Sequence, residues 1–459
     1  MKTVNVSVDF NNITGKIKPM HGIGQPPLTG IANTMLHYLK EAGIPYSRLH
    51  DVGGPFGQNR FVDIPNIFRN FDADENDPES YDFTFTDIII EGLMKVDCEP
   101  YFRLGVTIET AHRIKAYRIF PPKDFEKWAR ICEHIIRHYN EGWADGYHFA
   151  IRYWEIWNEP DSCIKDEIAA MWKGTAEEYY RLYSVTSRHL KACFGDGIKV
   201  GGYASCGMHE YASDTELEGV NIPVSEQNPH QMLINFMHGF FKYQKETDAP
   251  IDFFSWHIYE TFEASTRGKP REIINHADYV RRVLDKYGYT ATESHINVWN
   301  NWCDKRHRDS HFASAKTLGF MLMMQDAPVD VMCYYDGKLG YSDYAAIINP
   351  DNGYPYRNYY AFAMFNTLYR LNNEVKTSSD DENVYVGAAV NGRKAALVIS
   401  NNNTYSVEAC IDVKNFSVKE LQILRIDEGN RYTLTGEGLE NGKITVPDGG
   451  CVEIKLWDI

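Results

Sequence analysis

Short apolar runs alternate with amphipathic helical patterns along most of this chain, and that alternation limits the folds it can adopt. The apolar runs lie near 21–24 and at 44–50, 98–104, 151–158, 198–203, 251–257, 290–296 and 330–335. The helical patterns cover roughly 31–42, 123–140, 176–194, 271–287, 312–326 and 357–372. Counted together they indicate eight strand–helix units, which predict a closed parallel barrel rather than an open sheet.

The pattern changes after residue 372. Two apolar runs, 384–390 and 395–399, flank the pair Asn391-Gly392, which favours a tight hairpin turn, and more short strands follow. The alternating residues 4–8 add a strand to this region. The predicted fold class is therefore α/β: a (β/α)8 TIM barrel over 15–372, with a C-terminal β-sandwich domain formed by 1–14 and 373–459.

Composition excludes several classes of function. The net charge of −16 disfavours nucleic acid and anionic membranes as partners, and no apolar stretch is long enough to span a bilayer. The nine cysteines are scattered without a Cys-x-x-Cys pair, which indicates neither a disulfide framework nor a zinc site. Because the first residues show no signal peptide, we expect a cytoplasmic location, with secretion left open if a leader was removed.

One segment places a carboxylate at the end of a predicted strand. Residues 153–161 read Tyr-Trp-Glu-Ile-Trp-Asn-Glu-Pro-Asp, so Asn158 and Glu159 follow an apolar, aromatic run. In a parallel barrel the carboxyl ends of the strands carry the reacting groups. A strand-end Asn-Glu-Pro after Trp is the acid/base signature of retaining glycosidases. Hydrolysis with retention of the anomeric configuration needs a second carboxyl group about 5–5.5 Å from the first. The candidate is Glu293, which lies in the segment 289–295 on the seventh predicted strand.

The region from about 20 to 372 resembles glycoside hydrolase family 39, the family of β-D-xylosidases and α-L-iduronidases. The strongest matching blocks are 121–128, 154–161 and 200–202, followed by 252–259 and 356–362. The resemblance implies a retaining enzyme with Glu159 as the acid/base and Glu293 as the nucleophile.

The same resemblance implies a set of substrate-binding residues. Asn158 would hydrogen-bond the 2-hydroxyl of the sugar, and Arg48 would keep Glu293 ionised. Further candidates for contacts with the substrate are His50, Asp51, His257, Tyr259, Tyr335 and Asp336.

Two departures from the family pattern leave the substrate open. Family xylosidases show Thr-Glu-aromatic-Asn around the nucleophile, whereas Ser294 and His295 follow Glu293 here. After the eighth strand, the usual Tyr-Trp-Thr-Phe-Ser-Asp is replaced by the residues 334–338.

The leading hypothesis is a retaining exo-glycosidase acting on short oligosaccharides from xylan, a β-D-xylosidase. The alternatives are an α-L-arabinosidase or another family specificity, or a non-catalytic carbohydrate-binding protein on the same scaffold. We expect no metal and no organic cofactor, and a small oligosaccharide or glycoside as the ligand. The resemblance allows a homo-oligomer.

Overall fold

The computed structural model describes ten parts of the chain, namely residues 1–28, 34–50, 52, 61–107, 119–162, 171–206, 229–259, 272–300, 309–339 and 346–458. Asp51, one of the predicted substrate contacts, lies outside the described residues. None of the helices in the described parts has the combination of length and apolar character that crossing a bilayer requires.

A closed barrel of eight parallel strands confirms the predicted fold class. The strands are β2 (Gly22–Gly24), β3 (Tyr46–Leu49), β4 (Glu99–Leu104), β5 (Tyr153–Ile156), β6 (Lys199–Ser205), β7 (Phe253–Tyr259), β8 (Glu293–Asn300) and β9 (Val331–Tyr334). Pairing of β2 with β9 closes the ring. Nearly every residue in these strands is buried, as expected where helices cover a parallel sheet.

Helices surround the barrel. In the described residues they are α1 (His37–Ala42), α2 (Ile64–Ile67), α3 (Thr84–Lys95), α4 (Phe125–Glu141), α5 (Ala176–Phe194), α6 (Pro229–Glu246), α7 (Glu272–Lys286), α8 (His311–Met323) and α9 (Arg357–Leu371). Helix α4 illustrates how local sequence sets their limits. Asp124 caps its first turn by accepting from Lys127 N, and Gly142 adopts a φ of 76° just beyond its end.

The amino-terminal half of the barrel interior is filled by side chains. A cluster of buried residues from β3, β4, β5, β7 and β9 closes that end and consists of Tyr46, Tyr101, Tyr153, Phe253, Val331 and Cys333. A larger apolar core lies between the strands and the surrounding helices. The interior is therefore plugged at one end, and the open mouth lies where the strands finish.

The remaining strands form one nine-stranded sheet. They are β1 (Lys2–Lys16), β10 (Asn373–Ser379), β11 (Val384–Asn391), β12 (Lys394–Asn401), β13 (Val407–Lys414), β14 (Glu420–Ile426), β15 (Arg431–Thr435), β16 (Lys443–Val446) and β17 (Cys451–Trp457). Strand β1 joins the two halves by pairing antiparallel with β10 and parallel with β13. Side chains from both halves share one apolar core, so the domain predicted as a β-sandwich is instead a single sheet curled around that core.

Candidate active site at the mouth of the barrel

Glu159 lies just beyond the carboxyl end of β5, in a backbone segment with two unusual residues. Trp157 has a φ of 74° and Glu159 a φ of 46°, a region that costs non-glycine residues about 1–3 kcal/mol each. Backbone hydrogen bonds hold the segment, from Trp157 N to Leu104 O at 2.8 Å and from Glu159 N to Ala204 O at 3.0 Å. Strands β4 and β6 thus fix Glu159 from both sides.

His257, near the end of β7, contacts this carboxyl group directly. Its Nδ1 lies 2.7 Å from Glu159 Oε1. The Glu159 side chain is 16% exposed and that of His257 is 2% exposed. When a neutral imidazole donates its Nδ1–H to Oε1, a proton carried by the carboxyl group is placed on Oε2. This geometry suits a general acid that delivers its proton from Oε2.

A buried ion pair under the mouth fixes the amide of Asn158. Arg48 Nε donates to Glu155 Oε2 at 2.8 Å, and Arg48 Nη2 donates to Asn158 Oδ1 at 2.7 Å. Burial alone would lower the pKa of Arg48, but the Glu155 carboxylate outweighs it and raises that pKa. The predicted role of Arg48 is therefore corrected: its carboxylate partner is Glu155, and not Glu293.

The other predicted contact residues that the structure describes lie at the carboxyl ends of β3, β7 and β9. Burial, together with the charges of Arg48 and Arg103, holds the pKa of His50 well below its usual value, so this imidazole is neutral. The rings of Tyr259 and Tyr335 meet edge to face, with centroids 6.4 Å apart. Asp336 follows Tyr335 and is 2% exposed. The structure thus gathers these residues at the same end of the barrel as Glu159.

Two buried amides at this end were missed by the sequence reasoning. Among the described residues, neither side-chain amide atom of Gln25, just past β2, has a hydrogen-bond partner, and the same is true of Asn297 Oδ1 on β8. Arg48 donates to Oδ1 of Asn158, and Nδ2 of the same amide likewise lacks a partner within the described parts of the chain. Since buried polar groups are normally satisfied, several such groups around one mouth are typical of a site that binds a polar ligand.

The prediction that Glu293 faces Glu159 is wrong. Glu293 is the first residue of β8 and pairs with Phe253, the first residue of β7. It therefore lies at the plugged end of the barrel, about 17 Å along the strand from the residues five positions later. The sequence reasoning took the start of this strand for its end. A strand that follows the helix ending at Lys286 needs several more residues to cross the barrel.

At the plugged end Glu293 belongs to a network of polar side chains. Its carboxylate contacts Lys199 Nζ, accepts from Tyr153 Oη at 3.2 Å and lies 3.1 Å from His295 Nε2. Burial would raise the pKa of Glu293, but His295 and Lys199 together outweigh burial and lower that pKa to about 2. At this end of such a barrel, charged groups are expected to stabilise the fold rather than to take part in the reaction.

We expect Glu293→Gln to lower the free energy of unfolding by about 2 kcal/mol at neutral pH, while leaving enzymatic rates within about twofold of wild type. The depressed pKa means that the ionised Glu293 stabilises the fold above pH 4.5 and loses this effect as the pH falls toward 2. Urea unfolding at several pH values measures this. The difference between wild type and variant should shrink across that window, and a constant difference would contradict the assignment.

Comparison with known proteins agrees with the architecture. The sequence model of glycosyl hydrolases family 39 matches residues 36–332, more than half of the chain. The chain belongs to glycosyl hydrolase family 39. As a member of that family it is a glycoside hydrolase, and the predicted resemblance is confirmed.

Relatives of this family 39 protein include two β-xylosidases. That of Caldicellulosiruptor saccharolyticus is 25% identical over 429 residues, which cover 85% of this chain and 77% of the relative. That of Geobacillus stearothermophilus is 24% identical over 264 residues, which cover 53% of this chain and 46% of the relative.

Solved structures share the fold of this family 39 protein. A glucosidase from Croceicoccus marinus has a TM-score of 0.79 at 19% identity, with full coverage of both chains. A family 39 β-xylosidase from Caulobacter crescentus has a TM-score of 0.68 at 16% identity, covering 99% of this chain and all of the other.

The carboxyl end of β8 shows where this family 39 protein departs from the expected pattern. Residues 297–300 read Asn-Val-Trp-Asn, which fits Thr-Glu-aromatic-Asn with Val298 in place of the carboxylate. Val298 pairs with His257, whose ring contacts Glu159. It is 2% exposed but belongs to none of the apolar clusters found in the described residues. The position that would carry the nucleophile on the seventh barrel strand therefore has an unreactive side chain.

Among the residues that the structure describes, groups that could ligate a metal do not gather at the mouth. In the described residues, the cluster of three or more His, Cys, Asp or Glu donors that is close enough for a metal is Glu133, His189 and Cys193, between α4 and α5. Arg137 Nε donates to Glu133 Oε1 at 2.7 Å, so a cationic side chain already neutralises that carboxylate. This cluster is on the helical layer, away from Glu159.

Proposed function

We propose that this protein hydrolyses short β-linked xylo-oligosaccharides from their ends, as a β-D-xylosidase, with Glu159 as the general acid. Membership of family 39 supports hydrolysis of a glycosidic bond, and the two β-xylosidase relatives support β-xylosides as the substrate class. The 25% identity of the first relative leaves an α-L-arabinoside as the main alternative substrate.

The observation that carries the proposal is the set of buried polar groups that surround Glu159. The amide of Gln25, Asn158 Nδ2 and Asn297 Oδ1 have no hydrogen-bond partner in the part of the chain that the structure describes. They supply uncharged donors and acceptors, which match the hydroxyl groups of a neutral sugar. The imidazole of His50, whose pKa burial holds well below its usual value, adds a further uncharged polar group. The net charge of −16 does not disfavour such a ligand, because the electrostatic field of the protein neither attracts nor repels a neutral sugar.

Glu159 has the surroundings that a general acid needs. Its side chain is 16% exposed, and His257 orients the carboxyl group through Oε1. Asn158, held by Arg48, would place its Nδ2 beside the sugar hydroxyl next to the anomeric carbon. A hydrogen bond there strengthens as positive charge develops on the sugar ring in the transition state.

A second candidate function is carbohydrate binding without hydrolysis. Val298 is the specific observation in its favour, because a valine cannot form the glycosyl-enzyme that double displacement requires. The polar groups around Glu159 would bind a sugar equally well in such a protein.

Initial rates on a panel of aryl glycosides test the proposal. The panel comprises β-xyloside, α-L-arabinosides, β-glucoside, β-galactoside and α-L-iduronide. We expect the β-xyloside to react fastest, and faster hydrolysis of an α-L-arabinoside would replace the proposed specificity. If no glycoside reacts while xylobiose binds, as measured by tryptophan fluorescence or calorimetry, the binding function is correct and hydrolysis is not.

A further inference from the structure

Three side chains with metal-binding atoms meet on the helical layer, between α4 and α5. His189 Nε2 lies 2.6 Å from Glu133 Oε2 and 3.8 Å from Cys193 Sγ. The three donor atoms all lie within 4.8 Å of one another. Zn²⁺ accepts a mixture of carboxylate oxygen, imidazole nitrogen and thiolate sulfur, whereas Mg²⁺ and Ca²⁺ prefer oxygen alone. The chemistry of this cluster therefore points to a transition metal of the zinc type.

The donors come from two helices, so no short Cys/His motif marks the cluster in the sequence. His189 and Cys193 are four residues apart on α5 and lie on the same face of that helix. Glu133 lies on α4, which packs beside α5. A tetrahedral zinc ion would hold nitrogen and sulfur ligands about 3.6 Å apart. The 3.8 Å between His189 Nε2 and Cys193 Sγ is close to that distance, so two of the ligands are already in place.

Arg137 holds the third ligand, the Glu133 carboxylate, in the orientation that metal binding needs. Its Nε donates to Glu133 Oε1 at 2.7 Å, which leaves Oε2 directed at His189. A hydrogen bond to the other oxygen of a ligating carboxylate is usual around metal sites, because it fixes the orientation of the ligand. To bind an ion, Oε2 would have to move away from the imidazole by about 0.8 Å.

The charges around the cluster also suit a divalent ion. Arg137 contacts Glu141 through Nη1, so its one positive charge is shared between two carboxylates. With a neutral imidazole and an intact thiol, these side chains together carry one net negative charge. A divalent ion bound by the Cys193 thiolate would bring that net charge to zero.

The cluster can be reached from solvent. All three side chains are partly buried, and His189 lines a surface groove of about 990 Å³. An ion can enter from this groove, and a water molecule can occupy the fourth position of a tetrahedron. Burial and the Glu133 carboxylate raise the pKa of the Cys193 thiol, so the thiol is protonated before an ion binds.

We propose that Glu133, His189 and Cys193 bind one Zn²⁺ ion, with water as the fourth ligand. As the sulfur–zinc bond forms, the thiol proton passes to solvent. The His189 imidazole carries its proton on Nδ1 and binds the ion through the lone pair of Nε2. Helix α4 precedes β5 in the chain and α5 follows it, and β5 leads to Glu159. The ion cross-links these two helices, so it stabilises the fold without taking part in the proposed hydrolysis.

Cobalt substitution tests the site in the full chain, kept reduced. We expect one equivalent of Co²⁺ to give a sulfur-to-cobalt charge-transfer band and the visible bands of tetrahedral cobalt, which Zn²⁺ then removes by displacement. Cys193→Ser and His189→Gln should weaken Co²⁺ binding by more than about tenfold, and Cys193→Ser should lose the charge-transfer band. The matched control is Cys410→Ser, at a partly buried cysteine on β13, which should behave as wild type.

Melting temperatures show whether the ion stabilises the fold through these ligands. Excess Zn²⁺ should raise the melting temperature of the wild type and of Cys410→Ser, and leave those of Cys193→Ser and His189→Gln unchanged. The site would be overturned if the wild type gave no charge-transfer band, if the band persisted in Cys193→Ser, or if Zn²⁺ raised all four melting temperatures equally. Rates on the glycoside panel test the proposed function alone, so failure of either proposal leaves the other standing.

Discussion

Glu159→Gln should lower kcat/KM on an unactivated β-glycoside such as xylobiose by about 10²–10⁴-fold, with little change in thermal stability. The amide keeps the shape of the side chain and can still accept from His257 Nδ1, which lies 2.7 Å from Glu159 Oε1 in the wild type. What it cannot do is donate a proton to the departing oxygen. The loss should therefore be much smaller on 2,4-dinitrophenyl β-xyloside, whose leaving group departs without protonation.

The dependence on the leaving group distinguishes acid catalysis from binding. Steady-state kinetics give, for each of the two substrates, the ratio of kcat/KM of the variant to kcat/KM of the wild type. Equal losses on both would mean that Glu159 contributes to binding or folding, and they would contradict its role as the acid. Melting curves of the same preparations exclude unfolding as the cause.

Replacing Arg48 by Met should produce the largest loss of stability among single changes near the site, about 3–5 kcal/mol. Arg48 is 1% exposed and Glu155 is 0% exposed, with Arg48 Nη2 2.6 Å from Glu155 Oε2. Removing the cation leaves a buried carboxylate with Ser255 and Asn297 as its remaining donors among the described residues. Asn158 also loses the donor that orients its amide, so activity should fall as well. Urea unfolding measures the first effect, and kinetics measure the second.

The double variant Arg48→Met with Glu155→Gln is the control for this prediction. Because Glu155→Gln removes the uncompensated buried charge, we expect the double variant to regain about half or more of the free energy of unfolding that Arg48→Met loses. Activity should stay low, because Asn158 still lacks the donor that orients its amide. A double variant no more stable than Arg48→Met would show that packing around the Arg48 stem, rather than the charge of Glu155, dominates the loss.

The barrel could be predicted because each of its units has its own signal in the sequence. Strands such as β7 are continuous apolar runs, and helices such as α4 show a single apolar stripe between an Asp cap and a Gly. The curled sheet was harder to predict. The alternation of β1 and the hairpin of β11 and β12 reveal strands, but their partners depend on contacts hundreds of residues apart, such as Val6 with Ser379.

The two halves of the site differed in how far the sequence could reveal them. Glu159 follows its strand directly, so one segment contains the strand, its end and the carboxylate. For β8 the apolar run does not show where the strand begins, and Glu293 at the start was chosen over residues 297–300 at the end. The pattern polar-x-aromatic-Asn at 297–300 was the available signal. The unsatisfied amide of Gln25 has no sequence signal, because it depends on what packs around it.

The most direct test compares Glu159→Gln with Glu293→Gln on the same unactivated β-glycoside. The two side chains lie at opposite ends of the barrel, and each variant replaces a carboxylate by its amide. We predict that Glu159→Gln loses nearly all activity and keeps its stability, whereas Glu293→Gln keeps its activity and unfolds at lower urea concentration. The reverse pattern, with activity lost in Glu293→Gln and kept in Glu159→Gln, would contradict the placement of the reaction at the mouth around Glu159.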